Sequence, residues 1–161
     1  MYKSVLDYFE ETVKRVPEKK AIRHNEDDCT FAMLQEQAQK LGSYMIELVG
    51  DIKNRPIVVL LPKSMDAVVA DLGISYSCNI FNNLDVKTPV HRLENIIKLL
   101  KPVMVITNNA YKDMLSWQEY DVKLLNLDET VLCDININAE ELEKRRKNKF
   151  IYLFTGFNRR A

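Results

Sequence analysis

Residues 56–62, PIVVLLP, are apolar at every position and bounded by proline at both ends. A strand with one wet face alternates apolar and polar residues. A strand with no polar position has to be covered on both faces, the situation inside a parallel sheet flanked by helices. A second such run, VMVIT (103–107), follows Pro102. Shorter strands are expected at Lys20–Arg23, Ile80-Phe81, Val122–Leu127 and Phe150–Phe154. Asn25–Asp28 and Asn82-Asn83 read as turns, as their Asn/Asp content favours.

The segments between carry helical periodicity. Ser4 is placed to cap a first helix with Asp7 as its capping-box partner, and Leu6, Phe9, Val13 and Val16 make one apolar face ahead of Pro17. Thr30 caps a longer helix with the stripe Phe31, Leu34, Ala38, Leu41, Met45 and Leu48. A lone coiled coil is the alternative there, but the stripe ends after about two and a half heptads. Ser64 caps a helix with Met65, Val68, Val69 and Leu72 inside. Thr88-Pro89 opens another with proline in its first position, burying Leu93, Ile96, Ile97 and Leu100. A weaker helix is expected at Tyr111–Trp117, and residues 128–139 read as irregular. Asn138, with Glu141 as box partner, caps NAEELEKRRK, where Glu140/Lys144, Glu141/Arg145 and Glu143/Lys147 are acid-to-base pairs four apart. That is the pattern of a solvated helix stabilised by its own side chains. Strands alternating with helices give an α/β class: a mostly parallel β-sheet flanked by helices.

The 161 residues suit one domain or a large subdomain, long enough to bury a core without staples. The 23 basic and 23 acidic residues cancel, which speaks against a nucleic-acid or anionic-membrane binder. Near-zero charge also gives little repulsion between copies, so self-association is an expectation. Cys29, Cys78 and Cys133 are far apart with no C-x-x-C pair, which suits a reducing cytoplasm better than zinc or redox chemistry. The N-terminus has no signal-peptide core and no run approaches a membrane span.

Few residues advertise chemistry. His24 and His91 lie in separate segments and read as surface residues rather than bases or ligands. PIVVLLP is followed by Lys63-Ser64-Met65 rather than G-x-G-x-x-G, so a dinucleotide has no glycine turn to sit against. KSMD (63–66) sets a cation at a helix start, where an anion would be attracted, with a capped helix and a solvated lysine as the plainer alternative. Asp85 and Arg92 flank a helix start and read as a structural ion pair. Cys78 reads as a small buried residue and Trp117 as a packing residue. At the C-terminal end, YLFTGFNRRA runs a strand into Thr155-Gly156 with two arginines behind, the way many phosphate-binding loops begin.

The order of these pieces resembles the N-terminal part of the adenylate-forming (acyl- and aminoacyl-activating) enzymes, above all amino-acid adenylation domains and D-alanine–carrier protein ligases. The family's "P-x-x-x-A-I" is matched by Pro17…Ala21-Ile22, and its "[ST]-[YF]-x-x-L" by Thr30-Phe31-Ala32-Met33-Leu34. PIVVLLPKSMDAVVADLGI (56–74) follows a strand running into a Lys-Ser helix with "V-V-A-x-L-G-I". SCNIFNNLDVKTPVHRL (77–93) keeps Leu84, Asp85, Pro89, Arg92 and Leu93, while Cys78 stands where the family usually has glycine and Asn83 where it has proline. KPVMVIT (101–107) completes the series. The match covers residues 1–107 well and 108–161 loosely. It implies a single N-terminal subdomain over 1–161.

The family's next element is a strand and a Ser/Thr/Gly-rich phosphate loop. Tyr152–Thr155 match its approach, Gly156 begins the loop, and Phe157–Ala161 do not continue it. The resemblance therefore implies Thr155 and Gly156 as phosphate-loop, hence cofactor-binding, positions and assigns no catalytic residue. It implies an ATP- and Mg2+-dependent parent enzyme that forms an aminoacyl-adenylate and passes it to a carrier-protein phosphopantetheine thiol. Because the chain stops before the adenine, ribose and carboxylate pockets, it is expected to be inactive alone, to hold no cofactor tightly, and to need the remainder of that enzyme. A non-catalytic α/β interaction module is the rival reading. A flavodoxin-like or receiver-type domain is a weaker one, lacking a phosphate loop after the first strand or a convincing acidic cluster.

Overall fold

The computed structural model of the chain describes residues 4–24 and 27–147. Helix α1 (Val5–Arg15) starts with the expected capping box, Ser4 and Asp7 each bonding the other's backbone N–H. Strands β1 (Lys20–His24) and β2 (Asp27–Thr30) form an antiparallel hairpin. This corrects the turn expected over Asn25–Asp28: Asp28 lies across from Arg23, and its carboxylate pairs with Lys20. Cross-strand charge pairing offsets the poor strand propensity of aspartate. Thr30 then caps α2 (Phe31–Val49), its hydroxyl accepting from the Met33 N–H at 3.2 Å.

Among the described residues the central sheet is parallel and four-stranded. It comprises β3 (Pro56–Val59), β4 (Ile80–Asn83), β5 (Met104–Thr107) and β6 (Lys123–Asn126), in the order β4-β3-β5-β6. Two helices provide crossovers, α3 (Met65–Tyr76) between β3 and β4, and α4 (Val90–Leu100) between β4 and β5. Ile57, Val59, Leu61, Met104 and Ile106 pack under α2 and α3. Val58, Leu60 and Val105 pack on the other face with Leu93 and Ile97 of α4, Leu115 and Trp117. The apolar run at 56–62 thus feeds two cores by simple alternation. Each of its fully buried Val, Leu and Ile side chains contributes on the order of 1.5–3 kcal/mol.

Four local expectations change. Asn82 and Asn83 extend β4 instead of turning, because they stand in register with Val58 and Val59. Pro89 is the N-cap of α4 rather than its first residue, with φ −56° and ψ 140°. Tyr111–Trp117 is not a helix. Its chain makes turns, and Trp117, whose indole N–H bonds the Lys112 carbonyl, plugs the core ahead of a short 3-10 turn at Trp117–Glu119. The buried side of α3 is Val69, Ala70, Gly73, Ile74 and Tyr76, while Val68 is exposed. The reason is a close helix crossing. A Cβ on Gly42 of α2 would lie 3.0 Å from the Gly73 carbonyl and 3.0 Å from Tyr76 Cβ, and one on Gly73 would lie 3.1 Å from the Ala38 carbonyl. Small residues, not large apolar ones, mark that contact.

Helix α5 (Ala139–Lys147) differs most from expectation. Asn138 caps it as expected, accepting from the Glu141 N–H at 3.1 Å. The reciprocal half of the box is absent, since the Asn138 N–H goes to Ser43 Oγ and the Glu141 carboxylate to Arg145. Of the three intrahelical pairs, Glu141/Arg145 and Glu143/Lys147 form. Glu140/Lys144 is not among the ion pairs of the described residues; Lys144 turns to Glu141 instead. Nor is α5 wholly solvated: Leu142 and Arg145 are buried.

Candidate functional site

In a parallel sheet, ligands gather where loops leave the strand carboxyl ends in opposite directions. Here that point lies between β3, whose connection goes to β4, and β5, whose connection goes to β6 on the other side. Residues 60–64 and 107–109 line it. Thr107 is fully buried and its hydroxyl donates to the Leu60 carbonyl at 3.1 Å, tying the two strand ends together. Asn126 Nδ2 donates to Asn109 Oδ1 at 2.8 Å, the Asn109 N–H to Asp128 at 2.9 Å, and the Asp128 N–H to Asn126 Oδ1 at 3.1 Å. Asn108 Oδ1 is buried without a partner. The rim is therefore polar and largely self-satisfied, with the Asp128 carboxylate engaged by the Asn109 N–H. It is a scaffold for neighbouring loops rather than a set of acids and bases. These asparagines were not among the expected site residues; their signal in the sequence is an Asn-Asn pair directly after the strand run VMVIT.

The residues singled out earlier do not converge on a centre. Ser64 Oγ is used in capping the Ala67 N–H, and Lys63 is exposed. Asp85 and Arg92 form no ion pair among the described residues. Asp85 instead accepts from the Lys87 N–H at 2.9 Å, a local turn bond that outcompetes an exposed arginine. His91 is exposed. Cys78 is buried and Trp117 is a core residue, both as expected. Cys78 also has φ +62°, in the left-handed region that favours glycine, which accounts for the family's usual glycine there. No group of three or more His, Cys, Asp or Glu among the described residues is arranged to hold a metal ion. Thr155, Gly156 and the strand expected at Phe150–Phe154 lie outside the described residues.

Two sites of electrostatic tension were not anticipated. Burial holds the Asp71 carboxyl above its ordinary value against a 2.9 Å hydrogen bond from Asn83, and Asp71 Oδ1 is buried and unpartnered. The second is a polar node joining four helices. Arg146 of α5 reaches Asp7 and Glu10 of α1 at 2.6 Å each, and Glu10 accepts from the Tyr76 hydroxyl of α3 at 3.1 Å. Gln35 of α2 donates to that hydroxyl at 3.4 Å. Burial pushes the Tyr76 phenol well up, so it stays protonated as a donor.

The chain matches the AMP-binding enzyme family over residues 9–153. It is 28% identical over 132 residues to the nonribosomal peptide synthetase kk1B of Curvularia clavata, covering 80% of this chain and 1% of that protein. It is 24% identical over 127 residues to surfactin synthase subunit 1 of Bacillus subtilis, covering 79% of this chain and 4% of that protein. Its fold is shared with NpsA-ThdA, an artificially fused adenylation–PCP di-domain from Klebsiella oxytoca, at TM-score 0.74 and 15% identity over 86% of this chain and 24% of that one. It is shared also with the AMPPNP-bound form of the nonribosomal peptide synthetase FmoA3, at TM-score 0.69 and 18% identity over 81% and 14%. The chain thus spans 1% and 4% of the length of these two curated relatives. With the parallel sheet, its switch point and this match in agreement, the chain belongs to the AMP-binding enzyme family.

Proposed function

We propose that residues 1–161 are a single N-terminal subdomain of an ATP-dependent, amino-acid-activating ligase. Its reaction would join a carboxylate to the α-phosphate of ATP, releasing pyrophosphate, and then pass the acyl group to a carrier-protein phosphopantetheine thiol. The observation that carries the reading is the family match over residues 9–153, laid on a parallel sheet of the adenylation-domain kind. Thr155 and Gly156 are assigned to the start of the phosphate loop. Mg2+ would travel with the triphosphate; the described residues offer no carboxylate cluster for it, so it would depend on groups outside them. A cytoplasmic setting is supported by the cysteine pattern, three residues far apart in the sequence with no C-x-x-C pair. No helix of the described residues is long and apolar enough to cross a membrane.

The described residues contribute strands, caps and packing but no assembled acid, base or nucleophile, so this chain alone is proposed to be inactive. Calorimetry with ATP is expected to show millimolar or weaker binding, and ATP–pyrophosphate exchange with the twenty amino acids no signal above background. Micromolar affinity, or exchange by the 161-residue protein, contradicts the proposal.

A second reading, a non-catalytic interaction module that self-associates, is favoured by one observation. On β4, the edge strand of the sheet among the described residues, Ile80 and Phe81 are 43% and 45% exposed. Exposed apolar edges invite pairing. Sedimentation of the wild type and of Phe81→Lys tests it. A concentration-dependent dimer that the lysine abolishes supports the module, and a monomer in both removes it.

A further inference from the structure

Helix α5 is fixed by charge far more than by apolar packing. Leu142 is its one buried apolar residue, while Arg145 is 2% exposed. The Arg145 guanidinium has five N–H donors and five acceptors around it. Nε bonds Glu141 at 2.8 Å. Nη1 bonds the Ile52 and Ser77 carbonyls at 3.1 and 3.4 Å. Nη2 bonds the Gly50 carbonyl and Asp51 at 2.9 and 3.3 Å. One residue on, Arg146 points to α1 and grips Asp7 and Glu10 at 2.6 Å each. Adjacent residues on a helix point about 100° apart, so the two arginines grip two different parts of the body at the last turn of α5.

We propose that Arg145 and Arg146 form a two-pronged latch that makes α5 a positioning element, with Arg146 as the prong that sets its docking on α1. Lys147, the end of α5, is eight residues before Thr155 in the sequence. The functional consequence, delivery of the chain to the phosphate-loop position, rests on the proposed function; the latch itself does not. Arg145 is sealed among backbone carbonyls and serves as the permanent prong. Arg146, with its partners Asp7 and Glu10, is partly exposed and is the releasable one.

Hydrogen exchange read by mass spectrometry on the 161-residue protein, without nucleotide, tests the latch apart from any ATP chemistry. Arg146→Gln is expected to speed exchange of α5 amides about tenfold, with β3 and β5 amides within about twofold of wild type. Arg146→Lys should restore much of the protection, because it returns the charge. High salt should loosen wild-type α5 and change Arg146→Gln little. Asp7→Asn, which keeps the α1 cap, should loosen α5 in the same direction and serves as the second variant where Arg146→Gln does not fold. Unchanged α5 protection in these variants, or α5 and β3 loosening together, overturns the proposal.

Discussion

Cys78 shows how a single backbone angle outweighs side-chain chemistry. An L-residue in the left-handed region costs roughly 1–2 kcal/mol, and burying the thiol returns on the order of 1 kcal/mol. Cys78→Gly is therefore expected to lie within about 1 kcal/mol of wild type in urea unfolding. Cys78→Val, β-branched where φ is +62°, should cost about 2 kcal/mol or more; a tolerated valine would contradict the strain argument. Asp71 is the converse case. Its carboxyl is raised by burial, so its charged form opposes folding. The stabilising protonated form is fully present below the ordinary value of 3.8 and is lost as pH rises through the raised folded value. Asp71→Asn should consequently stabilise the protein at pH 7 by up to about 1 kcal/mol, and the gain should vanish in melts at pH 3. The sequence announced the glycine-like turn through the family pattern, but not the fate of Asp71, which depends on which neighbours cover one oxygen.

At the scale of elements, the contact between α2 and α3 is set by the glycines that face each other across it. Alanine in place of Gly42 improves helix propensity by about 1 kcal/mol, yet its Cβ meets backbone at 3.0 Å. The clash should win, with Gly42→Ala destabilising by about 1–3 kcal/mol; a more stable variant would show that the helices can part at little cost. For α5, Arg145→Ala should cost about 3 kcal/mol or more, because it removes the donor to the Gly50 carbonyl, leaves those of Ile52 and Ser77 with the Asn79 amide alone, and strips Glu141 and Asp51 of their shared partner. Asp7, held below the usual carboxylate range by its bonds from Ser4 and by Arg146, adds an acid-labile share. Its folded value is depressed, so its contribution is present above 3.8 and lost as pH falls through the lower value. Caps and apolar stripes made the helices legible, because those signals are local. The docking of α5 was not, because Arg145 already had a sufficient local partner in Glu141, and its carbonyl ligands lie more than ninety residues away in the chain or at position 77.

Over the whole molecule, two fully apolar runs announced a two-sided parallel sheet, and the structure places both at its centre. The β1–β2 hairpin was missed because its strand residues Asp27 and Asp28 look like turn formers until their partners are known. The candidate site was legible mainly through the order of family-like motifs. The described residues prepare a polar rim but do not complete a reacting centre. The proposal that matters most is that this scaffold serves carboxylate adenylation when it stands as the N-terminal part of an adenylation domain. The most direct measurement is ATP–pyrophosphate exchange by a chimera. In it, this chain replaces the equivalent N-terminal segment of the NpsA adenylation domain and folding is verified by circular dichroism, with the 161-residue chain alone as control. The account predicts acid-dependent exchange by the chimera and none by the chain alone. A folded chimera without exchange, or exchange by the chain by itself, would contradict it.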